Sequence, residues 1–209
     1  DILYPNAYAT FHTDVWGTSD KNIFFVGGVE ENFSSGNYFG LISHFDGSTF
    51  RFLDIPKIRV GFSQVRYKEE EPNILYLKAT RFESTGDTNK IFRYDGNELK
   101  LIWSGKEGAT VNEMNGEIYF AIGPKIFKYN NDTLNIWKDF SSTTYRGRIW
   151  GRNENDFFGV AKDGLAHYNG SDLQIIYSTE LFINELLVTE KDVFMLCANR
   201  IIIHGKLKE

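Results

Sequence analysis

The segment Ile42–Phe50 reads ISHFDGSTF, and it carries the pattern that decides the fold. The aromatic residue Phe45 stands directly before an Asp-Gly pair, and apolar residues stand on both sides at Ile42 and Phe50. Asp-Gly tolerates positive φ angles at both central positions of a type I′ turn, and this turn matches the twist of two antiparallel strands. The segment is therefore predicted to be a β-hairpin closed by a type I′ turn.

The same pattern occurs three more times without gaps, and a weaker fifth copy follows. The copies are Ile91–Leu99 (IFRYDGNEL), Ile126–Leu134 (IFKYNNDTL), Leu165–Leu173 (LAHYNGSDL) and Ile201–Gly205 (IIIHG). Before each copy lies a run rich in aromatic and β-branched residues, such as Ile23–Val26, which is typical of a buried strand. A further short strand precedes that run, and in two copies it contains a Trp-Gly pair, at Trp16 and Trp150.

Four short strands in about 40 residues, present five times, are the signature of a β-propeller. We therefore predict an all-β protein, a single five-bladed β-propeller domain with about four antiparallel strands per blade. A β-sandwich is the alternative, since its strands are also short and evenly spaced, but it gives no reason for one hairpin to recur. The blades are expected at residues 12–54, 62–104, 109–139, 146–178 and 183–206 together with 1–5.

The last blade is the shortest, and the N-terminal segment offers a way to complete it. Residues 1–5 (DILYP) resemble Phe52–Pro56 (FLDIP), which ends an outer strand. We expect residues 1–5 to supply the outer strand of the last blade, which would close the ring and cover an exposed sheet edge. The alternative is a fragment of a larger propeller, with residues 1–5 left over from a missing blade.

Composition excludes several classes of protein. The 209 residues are 42% hydrophobic and 24% charged, which is typical of a globular domain. The net charge of −5 argues against nucleic-acid binding, and no apolar run is long enough to insert into a membrane. A single cysteine, Cys197, rules out an intrachain disulfide and a multi-cysteine zinc site. Because the chain opens with Asp1 and not Met, we expect it to be processed or excised from a longer chain. We also expect the protein to be a monomer.

At Val15–Gly27 (VWGTSDKNIFFVG) and Gly40–Gly47 (GLISHFDG) the chain resembles the uncharacterised propeller repeats of bacterial exported proteins and lipoproteins. The first and fourth blades match that pattern well, and the others match it in outline. The tryptophan that closes the family's pattern is replaced by Phe50, Leu99, Leu134 and Leu173. The resemblance implies a propeller fold and export, hence an extracellular, cell-surface or periplasmic location, and it implies no catalytic residue.

Polar residues on the innermost strands are the first set of candidate ligand-binding residues, because propellers commonly bind ligands at the mouth of their central channel. They could hold a sugar or a similar small polar ligand. Alternatively, they satisfy backbone groups or hold water in a crowded channel. The set comprises Asp14, Gln64, Asn112, Glu113, Arg146, Arg148, Asn184 and Glu185.

Aromatic residues in two long connections are the second set. The connection Gly27–Gly40 contains Phe33, Tyr38 and Phe39, and the corresponding stretch of the second blade contains Phe82. Insertions on one face of a repeat array often form its binding surface, and aromatic rings suit a sugar or a partner protein. The alternative is that these connections fold over their own blades and bury the rings.

The chain carries no recognisable catalytic, metal-binding or cofactor-binding motif. His44 and His167 occupy equivalent places in their hairpins, which argues against a metal cluster. The leading hypothesis is a non-catalytic propeller that recognises a glycan, a peptide or a partner protein. One alternative is a glycoside hydrolase or lyase that uses Asp14, Glu113 and Glu185 as carboxylates. The other is an architectural domain of a longer surface protein.

Overall fold

The computed structural model describes residues 6–31, 38–82 and 86–206, and it confirms the predicted fold class, an all-β five-bladed β-propeller. Within these ranges the elements are strands apart from a short 3-10 turn at Ala198–Arg200. The predicted closing strand, residues 1–5, lies outside the described residues.

The first two sheets each contain four strands that pair in chain order. The first sheet consists of β1 (Ala7–Ser19), β2 (Asn22–Glu31), β3 (Tyr38–Phe45) and β4 (Phe50–Phe52). The second sheet consists of β5 (Gly61–Arg66), β6 (Leu75–Arg81), β7 (Thr88–Tyr94) and β8 (Leu99–Gly105).

The remaining sheets follow the same antiparallel order, and the fifth has three strands among the described residues. The third consists of β9 (Ala109–Met114), β10 (Glu117–Ile122), β11 (Lys125–Asn130) and β12 (Thr133–Asp139). The fourth consists of β13 (Tyr145–Asn153), β14 (Asp156–Ala161), β15 (Gly164–Tyr168) and β16 (Leu173–Ser178). The fifth consists of β17 (Ile183–Val188), β18 (Asp192–Cys197) and β19 (Ile202–Lys206).

The chain divides into two compact units, residues 1–111 with 131–133, and residues 112–130 with 134–209. In the first unit, apolar side chains of the first two sheets form one core that includes Phe24, Ile42, Phe62, Tyr67 and Leu77. Phe62 is only 1% exposed, and burying a side chain of this size contributes about 2–3 kcal/mol. The second unit has its own cores, one around Phe157 and Tyr168 and another around Phe158 and Leu186.

The hairpin turns differ from the prediction at three of the four gap-free copies. At Asp46–Thr49 the carboxylate Oδ1 of Asp46 accepts hydrogen bonds from the backbone N–H groups of Ser48 (3.0 Å) and Thr49 (2.7 Å), and Gly47 is the residue with positive φ. The loops at 95–98 and 169–172 are built in the same way. The type I′ prediction is wrong there because the Asp or Asn side chain satisfies the turn's N–H groups, so that one positive φ is enough.

The third hairpin does have the predicted kind of turn, one residue later than expected. Asn131 and Asp132 both have positive φ, +51° and +61°, as a two-residue type I′ turn requires. Asn115 and Gly116, between β9 and β10, form a second turn of this kind with φ of +53° and +79°.

Candidate functional site

In the first unit, Asp14 and Gln64 contact neighbouring backbone. The Asp14 carboxylate accepts a hydrogen bond from the Val65 N–H (2.9 Å) and pairs with the Arg66 guanidinium (2.6 Å). The Gln64 Oε1 atom accepts a hydrogen bond from the Val111 N–H at 3.0 Å. Each side chain thus ties its own strand to the strand that begins the next sheet.

In the second unit, the predicted polar residues of β9 and β13 have different surroundings. The Glu113 carboxylate accepts the Gly116 N–H (2.5 Å) in the β9–β10 turn, and Asn112 is buried. Arg146 is exposed.

Arg148 has an unusual backbone, with φ of +59°. Its guanidinium donates to the carbonyl oxygens of Ile183 (3.0 Å) and Asn184, and burial lowers its pKa while the nearby Glu185 acts in the opposite direction. Glu185 itself accepts a hydrogen bond from the Trp150 indole N–H. Asn184 and Glu185 are exposed, whereas Arg148 is partly buried. The Arg148 side chain links β13 to the start of β17.

The aromatic residues of the long connections separate into two groups. Tyr38 begins β3 and Phe82 directly follows β6, and the two rings lie edge to face with their centres 6.2 Å apart. Phe39 points elsewhere: it is buried, and the Lys57 ammonium lies 4.3 Å from its ring centre. Phe33 lies outside the described residues.

Tyr38 and Phe82 line a groove of about 540 Å³ within the first unit, between the first and second sheets. The volume lies in the range of small-molecule binding sites. Phe82 is 61% exposed and Phe11 is 36% exposed, so aromatic surface faces solvent here. The lining residues are Phe11, Thr13, Glu30, Tyr38, Gly61, Phe62, Ser63, Thr80 and Phe82.

Glycines make room for the aromatic walls. A Cβ atom at Gly28 would lie 2.8 Å from the ring of Phe11, and one at Gly40 would lie 2.4 Å from the ring of Phe62. Both distances are shorter than side-chain packing allows, so a larger residue would displace a wall of the groove. The pair Gly27-Gly28 and the single Gly40 stand in strands, where glycine marks a close approach, and this was a sequence signal for the site.

Two threonine hydroxyl groups in the groove already have partners within the protein. The Thr13 hydroxyl lies 2.6 Å from the Phe62 carbonyl oxygen and 3.2 Å from that of Val26. The Thr80 hydroxyl accepts a hydrogen bond from the Lys78 ammonium at 2.7 Å and donates to Asn89 at 3.3 Å. These bonds hold the two walls in place and reduce the capacity of the hydroxyl groups to bind a ligand.

Glu30 is the acidic group of the groove. It lies directly across from Tyr38 in the β2–β3 pair, so both side chains project from the same face. Over residues 6–31, 38–82 and 86–206, the Glu30 carboxylate makes no hydrogen bond or ion pair. The adjacent Glu31 differs, because it pairs with Lys57 at 2.6 Å.

A second, smaller pocket of about 270 Å³ lies in the same unit and includes His44, Arg51, Asp95 and Asn97. The His44 ring stacks on Phe24 with centres 4.4 Å apart, and its Nε2 lies 2.7 Å from the Asn22 amide oxygen. Burial, followed by the nearby Arg51, lowers the pKa of His44. Because His44 and Asp95 both have internal partners, this pocket is the weaker candidate.

Three histidines near the turns make the same two kinds of contact, of which the sequence indicated only the equivalent positions of His44 and His167. His44, His167 and His204 each approach a ring of the neighbouring strand, and each lies 2.7 Å from an Asn or Asp oxygen. Their partners are Asn22, Asp156 and Asp192 respectively. No group of three or more His, Cys, Asp or Glu side chains among the described residues could hold a metal ion.

Comparison with known proteins assigns the chain to no family: no protein-family model matches it, and neither does any curated protein. No helix in the described part of the chain has the length and apolar character needed to cross a membrane.

Proposed function

We propose that this propeller is a non-catalytic binding protein and that its ligand occupies the groove between the first and second sheets. The observation that carries the proposal is the convergence of Phe11, Tyr38 and Phe82 from three separate strands or loops on one concave surface. Exposed aromatic rings in a concave site contribute binding energy through burial of their faces, and nearby polar groups orient the ligand. The ligand classes expected from the sequence are a glycan, a peptide and a partner protein, and the volume of the groove adds small solutes.

The candidate carboxylates of the hydrolase alternative all have partners of their own. Asp14 pairs with Arg66, Glu113 accepts a turn N–H, and Glu185 accepts the indole N–H of Trp150. A glycosidase needs one carboxyl group with a raised pKa and a second at a suitable distance from it. No observation on these three residues favours that chemistry, so binding remains the proposal.

We also infer that the protein acts outside the cytoplasm. The support is its similarity to the propeller repeats of exported bacterial proteins, which lies in Val15–Gly27 and Gly40–Gly47. Fractionation of cells that produce the full-length protein, with detection by antibody, tests this inference. Recovery in the cytoplasmic fraction alone would contradict it.

The groove is tested by comparing two exposed phenylalanines. Phe82→Ala removes a ring from the groove, whereas Phe52→Ala removes an exposed ring (43% exposed) that does not line it. We expect Phe82→Ala to reduce binding about tenfold or more on glycan arrays and peptide libraries, because a large contact face is lost. Phe52→Ala should bind like the wild type.

Two outcomes would overturn the proposal. One is equal loss of binding in both variants, which would place the ligand elsewhere or indicate a general defect. The other is the absence of any ligand in screens with glycans, peptides and host extracts, which would favour the architectural alternative.

A further inference from the structure

We propose that the groove binds a small solute that carries a quaternary ammonium group. This inference rests on the proposed function and specifies the ligand for the same site. It is carried by the aromatic rings of Phe11, Tyr38 and Phe82 and by the Glu30 carboxylate, which has no partner among the residues that the structure describes.

Adjacent rings of the groove stand at steep angles to one another. Phe11 and Tyr38 lie 5.9 Å apart at an angle of 76°, and Tyr38 and Phe82 lie 6.2 Å apart at 65°. Rings at such steep angles do not form a flat platform, and their faces can contact a compact group from more than one side. A cation within about 6 Å of several ring centres is attracted by each ring's quadrupole, which is how aromatic cages bind quaternary ammonium groups. A flat sugar ring gains less from rings set at these angles.

The polar groups of the groove favour a cation over a sugar. The hydroxyl groups of Thr13 and Thr80 already bond within the protein, so these two groups offer a sugar little hydrogen-bonding capacity. The Glu30 carboxylate has no partner among the described residues and lies beside Tyr38. An anionic group at the rings adds Coulomb attraction for a cation, and this attraction is stronger where water is partly excluded.

The Lys78 ammonium also lies near the groove, and its positive charge would repel a cationic ligand. Its ammonium donates to Thr80 on the wall formed by the second sheet, while Glu30 and Tyr38 belong to the first sheet. The expected position of the ligand cation is therefore against the wall of the first sheet. A volume of about 540 Å³ lies in the range of small-molecule sites. The proposed ligand is therefore a free small molecule and not a modified side chain of a peptide.

The test is isothermal titration calorimetry of the whole chain with choline and with 3,3-dimethylbutan-1-ol. The second compound has the same shape as choline but carries no charge. We expect choline to bind at least about tenfold more tightly, because the cation–π and carboxylate attractions act on the charged compound alone. Raising the salt concentration should weaken choline binding.

Two neighbouring acids provide a matched pair of variants. Glu30→Gln should reduce choline affinity about tenfold, whereas Glu31→Gln should leave it unchanged, because consecutive strand residues face opposite sides and Glu31 pairs with Lys57. Phe82→Ala should reduce affinity about tenfold through loss of one ring. Equal binding of the neutral compound, or no effect of Glu30→Gln, would overturn the inference.

Other outcomes separate this inference from the proposed function. If choline fails to bind but another ligand binds in a manner that depends on Phe82, the binding function stands and the quaternary ammonium inference falls. If a peptide with a trimethylated lysine binds at least about tenfold more tightly than choline, the ligand is a peptide and not a small solute. If no ligand depends on Phe82, both proposals fall.

Discussion

At the scale of single residues, the two tryptophans of the Trp-Gly pairs show how equivalent positions acquire different roles. Trp16 packs against the core of the first unit, and the Arg66 guanidinium lies 4.5 Å from its ring centre. Its indole N–H is buried and has no hydrogen-bond partner within the described ranges. Trp150 packs in the second unit, but its N–H donates to Glu185. The two residues should therefore respond differently to the loss of the indole nitrogen.

We expect Trp16→Ala to lower the free energy of unfolding by about 3 kcal/mol or more, because a large ring is removed from a packed core. Trp16→Phe should cost less, since it also removes a buried donor that lacks a partner. Trp150→Phe, by contrast, gives up a hydrogen bond worth about 1 kcal/mol to a charged acceptor. Urea unfolding followed by fluorescence or circular dichroism measures all three. A loss below about 1 kcal/mol for Trp16→Ala would place this ring outside the core.

At the scale of elements, polar side chains connect strands that the turn motif does not connect. Asp14 on β1 contacts both Val65 and Arg66 at the end of β5, and Arg66 also donates to the Val65 carbonyl oxygen at 2.6 Å. The Asp14 and Arg66 side chains are 21% and 11% exposed, so water screens the pair only in part. The Asp14–Arg66 pair holds the first and second sheets together. This structural role explains why an acidic residue stands at position 14, which was also a candidate for ligand binding.

A double-mutant cycle on Asp14 and Arg66 separates a structural role from a binding role. We expect Asp14→Ala to destabilise the protein by about 2–3 kcal/mol, because a charge-assisted hydrogen bond is lost and a cation is left without its partner. The coupling energy between Asp14→Ala and Arg66→Ala should exceed about 1 kcal/mol in urea unfolding. Coupling near zero would leave Asp14 available as a ligand-binding group.

The hairpin turns show the same dependence on side-chain acceptors. At 169–172 the acceptor is an asparagine, Asn169, which makes the same bonds to the turn N–H groups as Asp46 does at 46–49. An amide oxygen is therefore sufficient for this loop. The two turns differ in their acceptor, a carboxylate at Asp46 and an amide at Asn169, and so show the effect of the charge within one chain.

We expect Asp46→Asn to lower the melting temperature less than Asp46→Ala does near pH 7, because the amide oxygen keeps an acceptor for the turn N–H groups but loses the charge. Asp46→Ala should lower the melting temperature by about 2–4 °C, since the turn N–H groups lose their acceptor. Differential scanning calorimetry measures both. A large loss in Asp46→Asn would mean that the charge itself is required.

At the scale of the whole molecule, many carboxylates are held in their ionised form. Hydrogen bonds from the Thr49 and Ser48 N–H groups lower the pKa of Asp46 from 3.8 to about 2. Burial tends to raise the pKa of Asp156, but hydrogen bonds from Arg152 and His167 outweigh it and the pKa is lowered. The pKa is also lowered, in each case mainly by hydrogen bonds, for Asp95, Asp139, Glu154 and Asp172.

These shifts predict the sign of the acid response. A carboxyl group with a depressed pKa binds fewer protons in the folded state than in the unfolded state, so stability rises with pH in that range. Burial lowers the pKa of His12 and His44 below 6.5, which has the same sign. We therefore expect stability to fall as the pH drops below about 6.5, and more steeply between about 4 and 2, in urea unfolding at a series of pH values. Greater stability at pH 3 than at pH 7 would contradict this.

Much of the fold was predictable because its signals are local. Aromatic and β-branched runs such as Ile23–Val26 formed strands, and Phe45, Tyr94 and Tyr168 stand before hairpin loops as expected. The turn type was not predictable to the same degree, because whether Asp46 or Asn169 bonds to the following N–H groups depends on the loop conformation. Residues such as Asp14 and Glu185 could be listed as polar, but their partners could not be named.

The sequence by itself determined the strands, their order in each sheet and the propeller class, since periodicity and turn residues act over a few positions along the chain. Only the tertiary structure decided where a ligand could bind. The groove joins Phe11, Tyr38 and Phe82 from strands that meet through packing, and its width depends on glycines at 28 and 40 that let rings approach the backbone. Contacts of this kind leave no regular spacing in a sequence, because they are set by the shape of two sheets packed face to face.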